Sequence, residues 1–276
     1  MNNTETYWEA DGRSLHTYAH SIETLSNIAI PNFRGENDVV PLTPGATWVE
    51  KVPDQNVITL GMWARGVDPD AGGGASQATK RQYQKNYHDL VRMFWNPRRQ
   101  VALTKRFYDG DGDDPISATA LVEYAGGLAP TMIGNNAGKF TVDLRLADPF
   151  FYADTLLEVP LVNGDNIIEV PGDAPTLNAM FTINGARTNT RILNKTNEFQ
   201  FTYPQAVLAG EYVRIEPKTY DAFHKPVNAP EYDASTRVIW QGGYQWMQLE
   251  HGTNVIHVQS TSGAGVINLQ ARGAWV

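Results

Sequence analysis

Apolar and polar positions alternate with a period of two along most of the chain. Between Val57 and Asp68, one face carries Ile58, Leu60, Met62 and Ala64, all apolar. The other carries Val57, Thr59, Gly61, Trp63 and Arg65. This predicts a strand whose first face packs on a core. Gly72-Gly73-Gly74 interrupts the pattern, and the period then becomes helical. Tyr83, Tyr87, Leu90, Val91 and Phe94 fall on one stripe, which predicts a helix over about residues 80–95. Thr79 followed by Gln82 suits the start of a capping box. Asn96-Pro97 ends the helix, because a residue before proline avoids the helical region. Leu60, Met62, Tyr87, Leu90, Val91 and Phe94 are the expected helix–sheet core.

Further strands are expected at Trp8–Ala10, Leu15–Leu25, Val101–Arg106, Ile116–Tyr124 and Phe140–Leu146. Pro31–Thr47 holds three prolines and two glycines, and reads as a polar loop ordered by a partner. Beyond Asp148–Tyr152 the chain turns to short strands separated by turn signals. Thr176–Ile183, Arg191–Leu193, Glu198–Phe201, Glu211–Glu216, Arg237–Trp240, Tyr244–Gln248, Asn254–Gln259 and Ala264–Trp275 are expected strands. Asn184-Gly185 is a hairpin signal, and Lys218–Ser235 reads as an exposed loop or arm. Strands at this spacing indicate a β-sandwich. The expected fold is mainly β, with two sandwich-type domains. Residues 1–150 carry the single packed helix, and residues 151–276 form the second sandwich.

The composition narrows the function. With 42% hydrophobic and 19% charged residues, the chain buries real cores and is not disordered. Its 30 acidic and 22 basic residues give a net charge of −8, which argues against general nucleic-acid binding. The absence of cysteine removes disulfides, thiol catalysis and thiolate zinc sites. Met1–Gly12 is polar and acidic and reads as no secretory signal. No apolar run reaches the roughly 20 residues that span a bilayer, so no membrane anchor is expected.

Candidate chemistry is sparse. No Walker loop, dinucleotide fingerprint, nucleophile elbow or His-Glu-x-x-His is present, so neither an enzyme nor a cofactor is expected. His16 and His20 stand four apart but lie in a predicted strand, where they form no compact ligand set. Asp109-Gly110-Asp111-Gly112-Asp113-Asp114 starts like a calcium loop. It has Asp114 and Ala120 where an EF-hand needs glycine and glutamate, and reads as an acidic hairpin turn. In Lys80–Arg106 eight basic residues face only Asp89. That stretch is either a solvated face or an electropositive patch for an acidic partner or passing nucleic acid. Trp240, Tyr244 and Trp246 are either core aromatics or rings that stack on sugar.

Several stretches resemble the distal tail protein family of long-tailed bacteriophages, in the form found in phages of actinobacteria. They are Asp11–Leu15, Arg34-Gly35-Glu36-Asn37 before Val40-Pro41, Leu60–Asp68, Asn86-Tyr87, Phe94–Gln100, Gly126–Met132, and Phe140–Leu144 continuing through Ala147–Tyr152. Trp246–Ile256 resembles the late strand-turn-strand of the family's galectin-like sandwich. It departs from it at His251-Gly252-Thr253, where the family has proline-glycine before the asparagine. The resemblance implies a virion structural protein at the distal end of the tail, made in the host cytoplasm. It implies a homohexameric ring built by the first domain, which joins the tube to the tail hub and adsorption apparatus. The partners implied are the tail tube protein, the hub or tail-associated protein and the tape measure protein, with genomic DNA passing through the lumen. Arg34, Glu36, Asn37, Lys85, Arg92, Arg98 and Arg99 are then the expected ring or partner interface. A second reading is a carbohydrate-binding adsorption module, with Trp240, Tyr244 and Trp246 as the glycan contacts.

Overall fold

The computed structural model describes residues 7–26, 33–34, 52–69, 78–95, 98–108, 114–241, 247–263 and 265–276. The chain divides into two compact units, Met1–Phe151 with Val276, and Tyr152–Trp275. It is mainly β, and one α-helix is present among the described residues.

The first unit holds β1 (Tyr7–Ala10), β2 (Arg13–Ser14), β3 (His20–Ser26), β4 (Phe33–Arg34), β5 (Val52–Pro53), β6 (Asn56–Arg65), α1 (Lys80–Phe94), β7 (Val101–Phe107), β8 (Ile116–Gly127), β9 (Thr131–Met132) and β10 (Ala137–Leu146). Its main sheet runs β2-β1-β7-β8-β10-β6-β3, with β9 on β10, while β4 and β5 pair separately. In β6, Ile58, Leu60, Met62 and Ala64 are buried as their alternation predicts. The antiparallel register sets Phe140, Val142 and Leu144 opposite Met62, Leu60 and Ile58, so both strands present apolar side chains to the same face. β8 pairs with β7 over Ile116–Val122 and with β10 over Val122–Gly127. One long strand thus belongs to two neighbours in turn.

The expected strand Leu15–Leu25 forms only from His20, as β3, and residues 15–19 belong to no strand. Between β2 and β3 the Thr17 hydroxyl accepts from the backbone N–H of Ala19 and His20 at 3.2 and 3.1 Å. That local bonding competes with a sheet ladder. Leu15 and Ala19 are buried all the same, which is why the apolar pattern read as continuous.

β11 (Phe151–Ala153) crosses the boundary. The second unit continues with β12 (Leu157–Leu161), β13 (Gly164–Val170), β14 (Ala179–Asn184), β15 (Arg187–Asn194), β16 (Phe199–Val207), β17 (Tyr212–Glu216), β18 (Asp221–Lys225), β19 (Tyr232–Asp233), β20 (Ile239–Gln241), β21 (Gly252–Gln259), β22 (Ser262–Gly263), β23 (Ile267–Ala271) and β24 (Ala274–Trp275). One sheet runs β12-β23-β14-β17-β18-β19. The other runs β13-β21-β15-β16-β20, with β22 on β15. Phe181 of the first and Phe201 of the second meet edge-to-face at 5.3 Å, inside a core that includes Ile183, Ile192, Val213, Ile215, Ile256 and Leu269. This is a two-layer β-sandwich.

Two expectations fail here. Asn184-Gly185 joins no hairpin, because β14 and β15 lie in different sheets. Gly185 is needed for space, since a Cβ there would lie 1.7 Å from the Leu208 carbonyl oxygen. Lys218–Ser235 is no exposed arm, because it contributes β18 and β19. Ala222 and His224 of β18 are buried. The His224 ring is held there with Nδ1 2.8 Å from the Tyr232 hydroxyl and Nε2 3.2 Å from Glu211 Oε2.

Candidate partner-binding surface

Helix α1 is fastened at several levels, and the fastening determines which face remains outside. At its start the Thr79 hydroxyl accepts from Gln82 N–H at 3.1 Å, satisfying one of the donors a helix leaves open. The Thr79 N–H donates to the Gly66 carbonyl at 2.8 Å. Gly66 cannot carry a side chain, for a Cβ would lie 2.0 Å from the Thr79 carbonyl oxygen. One turn on, buried Asn86 donates through Nδ2 to the carbonyls of Arg65 and Val67, both at 2.7 Å. It also accepts from Gln82 Nε2 at 2.9 Å. Tyr87 donates its hydroxyl to the Leu128 carbonyl and meets Phe140 edge-on at 5.8 Å. Tyr83, Leu90 and Phe94 are buried with Asn86, while Tyr87 and Val91 are half-buried. The sequence pattern had no signal for Asn86 as a buried anchor, because a polar residue on an apolar stripe reads as surface.

Some of the basic residues reach acids of the β1 region, and others are exposed. Arg99 reaches Asp11 at 2.6 Å and Arg106 reaches Glu9 at 3.0 Å. Both acids come from the β1 region and are invisible in a reading of the Lys80–Arg106 stretch alone. Asp11 also accepts from the Ala102 N–H at 3.1 Å. The hydrogen bond from Arg99 holds its carboxyl below the usual carboxylate range. Arg92 and Asp89 stand 3.4 Å apart, with side chains 80% and 50% exposed, a geometry that holds neither tightly. Lys80, Arg81, Lys85, His88 and Arg98 are exposed. Of the other expected interface residues, Arg34 lies in β4, while Glu36 and Asn37 lie outside the described residues.

In the second unit, Trp240 packs against Phe201 at 5.4 Å and Tyr220 at 4.9 Å, as a wall of the sandwich core. Tyr244 and Trp246 lie outside the described residues, as do Asp109–Asp113. His16 Nδ1 lies 3.0 Å from the Ser21 hydroxyl, and His20 Nε2 donates to the Ser14 carbonyl at 3.1 Å. Burial pushes the His20 imidazole below its ordinary value. Among the described residues no group of three or more His, Asp or Glu is placed to hold a metal ion. No described helix is long and apolar enough to cross a membrane.

No family model matches the chain, and no curated protein does. Among solved structures, the fold is shared with a bacteriophage protein. The crystal structure of the Dit (gp 19.1) protein of SPP1, described as a paradigm of the hub adsorption apparatus in phages infecting Gram-positive bacteria, aligns over 97% of this chain and 99% of its own. Its TM-score is 0.65 and its sequence identity 12%. The phage P2 baseplate in its activated conformation also aligns. The form with Ca does so over 98% of each chain at 8% identity, and the form with Sr over 97% and 98% at 9%. Both have a TM-score of 0.44.

Proposed function

We propose that this chain is a structural protein of a bacteriophage tail tip, a distal tail protein without enzymatic activity. The observation that supports this reading is the match to the SPP1 Dit fold across both units, end to end in each chain. A fold alone does not carry a function. Here it coincides with stretches of sequence that resemble the same family, among them Leu60–Asp68 and Asn86-Tyr87. The assembled form is a homohexameric ring built by the first unit, at the distal end of the tail. It is positioned between the tube protein and the hub, with the tape measure protein as a further partner and a lumen through which the genome passes.

Glycan binding through the second unit has less support. Trp240 is half-buried against the core, with Phe201 and Tyr220 packed on it, and a ring stacked on a sugar must offer its face to solvent. The test is the size of the purified full chain in solution, followed by imaging of any assembly. A closed ring is the expected outcome. A protein that stays monomeric at high concentration and fails to join tails when added to an extract lacking it would remove the proposal.

A further inference from the structure

Arg187 opens β15 and is only 3% exposed. Among the described residues its guanidinium bonds to uncharged oxygens alone. Nε donates to the Gly265 carbonyl. Nη1 donates to Asn163 Oδ1 at 2.6 Å and to the Ser260 hydroxyl at 2.9 Å. The three acceptors come from the turns before β13, after β21 and before β23. A buried charge is ordinarily paired, because an uncompensated one in a low dielectric is costly. The acid nearest to Asn163 in sequence cannot serve. Asp165 is held by Lys195 at 2.7 Å and by His257 at 2.5 Å. Burial pushes the Arg187 guanidinium below its ordinary value, but an arginine keeps its charge at neutral pH.

The donors around this charge are not used up. The printed bonds engage Nε and Nη1, whereas Nη2 has no partner among the described residues and is not sealed from solvent. Asn163 is exposed. With Oδ1 turned to Arg187, its two amide hydrogens point elsewhere. Ser260 is half-buried and lies 3.2 Å from the Thr190 hydroxyl, where either oxygen can donate, so its proton can turn to a ligand. We propose that Arg187, Asn163 and Ser260 form a phosphate-binding site on the second unit. Arg187 Nη2 supplies the charge, and Asn163 Nδ2 and the Ser260 hydroxyl supply further donors. The pattern of used donors selects the shape of the anion. A planar carboxylate binds best to two parallel N–H groups on one edge of a guanidinium. Both edges that include Nη2 already have their other nitrogen engaged by the protein. Single donors from three segments suit a tetrahedral oxyanion instead. The site does not depend on the ring reading.

Calorimetric titration of the full chain with inorganic phosphate tests it. One saturable site per chain is expected. Acetate at the same ionic strength is expected to bind at least about tenfold more weakly, a difference of about 1.4 kcal/mol. Glycerophosphoglycerol, a phosphodiester, separates the two sources of the group. Binding of both supports a site that takes phosphate on a polymer, and binding of inorganic phosphate alone supports a site for the free ion. Asn163→Asp supplies from within the chain the carboxylate that Arg187 lacks. It is expected to weaken phosphate binding by about tenfold or more, with a melting temperature at or above that of the native chain. Ser260→Ala, which adds no charge, is expected to weaken binding by a smaller factor and decides the matter if the first variant does not fold. Phosphate also favours folded proteins by exclusion from their surfaces, so a rise in melting temperature shared equally by the native chain and both variants counts against the site. The proposal is overturned if the native chain shows no saturable binding, if acetate binds as tightly as phosphate, or if the folded variants bind phosphate as the native chain does.

Discussion

At the scale of the residue, Asn86 and Asp11 carry more than their neighbours. Asn86 satisfies the carbonyls of Arg65 and Val67, where the chain leaves β6. Alanine at this position leaves both acceptors without their donor in a buried setting. The expected loss is about 1–3 kcal/mol of unfolding free energy, read from the denaturant midpoint. A loss below about 0.5 kcal/mol, the usual scale of a surface change, would show that the amide is replaceable. Asp11 ties the turn after β1 to Arg99 and Ala102. Its folded pKa is lowered, with the Arg99 hydrogen bond the largest cause. A carboxyl shifted this way stabilises the fold above its unfolded pKa, and that contribution disappears as pH falls through the folded value. Asp11 has φ 48, a left-handed conformation that asparagine also adopts, so Asp11→Asn keeps the backbone. The variant is expected to lose less stability than the native protein on acidification below about pH 4. Parallel acid limbs for the two proteins would refute that assignment.

At the scale of the element, the helix shows what alternation and stripes can and cannot reveal. Replacing Leu90 or Phe94 by alanine is expected to cost about 2–5 kcal/mol, because both are fully buried. Replacing Arg81 or Lys85 is expected to change stability by no more than about 0.5 kcal/mol, a contrast that thermal melting can read. Gly66→Ala should be as damaging as a core truncation, since its Cβ would press on the Thr79 carbonyl. A normal melting curve for that variant would show that the helix start is free to shift. The strand β6 and the helix were legible in the sequence because β6 buries an uninterrupted apolar set and the helix buries Tyr83, Leu90 and Phe94 at helical spacing. What stayed hidden depends on partners distant in the chain. Arg99 finds Asp11 across 88 residues, and Asn86 finds Arg65 and Val67 across 21 and 19. Lys218–Ser235 looked like an arm because it is polar and holds two prolines, and the Tyr203, Tyr232 and Glu211 groups that surround buried His224 lie on three other segments. The break at Thr17 was masked by Leu15 and Ala19, which stay buried outside any strand.

At the scale of the whole molecule, the second unit should be a self-contained and monomeric body. Among the described residues, its buried core draws on residues from Leu161 to Ala271, all within the unit. The edges of its sheets are guarded against pairing with copies of themselves. β12 is an edge strand and carries exposed Glu158 and Pro160. β13 is another and presents exposed Asp165 and Glu169. The remaining two edges, β19 and β20, are two and three residues long. Charges, proline and short length on edge strands are the usual means of blocking edge-to-edge association. Residues 151–276 also hold 12 acidic and 8 basic side chains, so copies repel. The isolated segment 152–275 is therefore expected to unfold in one cooperative transition and to elute as a monomer, while the full chain assembles. An isolated second unit that forms the ring by itself would transfer assembly to the wrong half of the present proposal. One that unfolds without cooperativity would show that its sandwich, despite a closed core, depends on the rest of the chain.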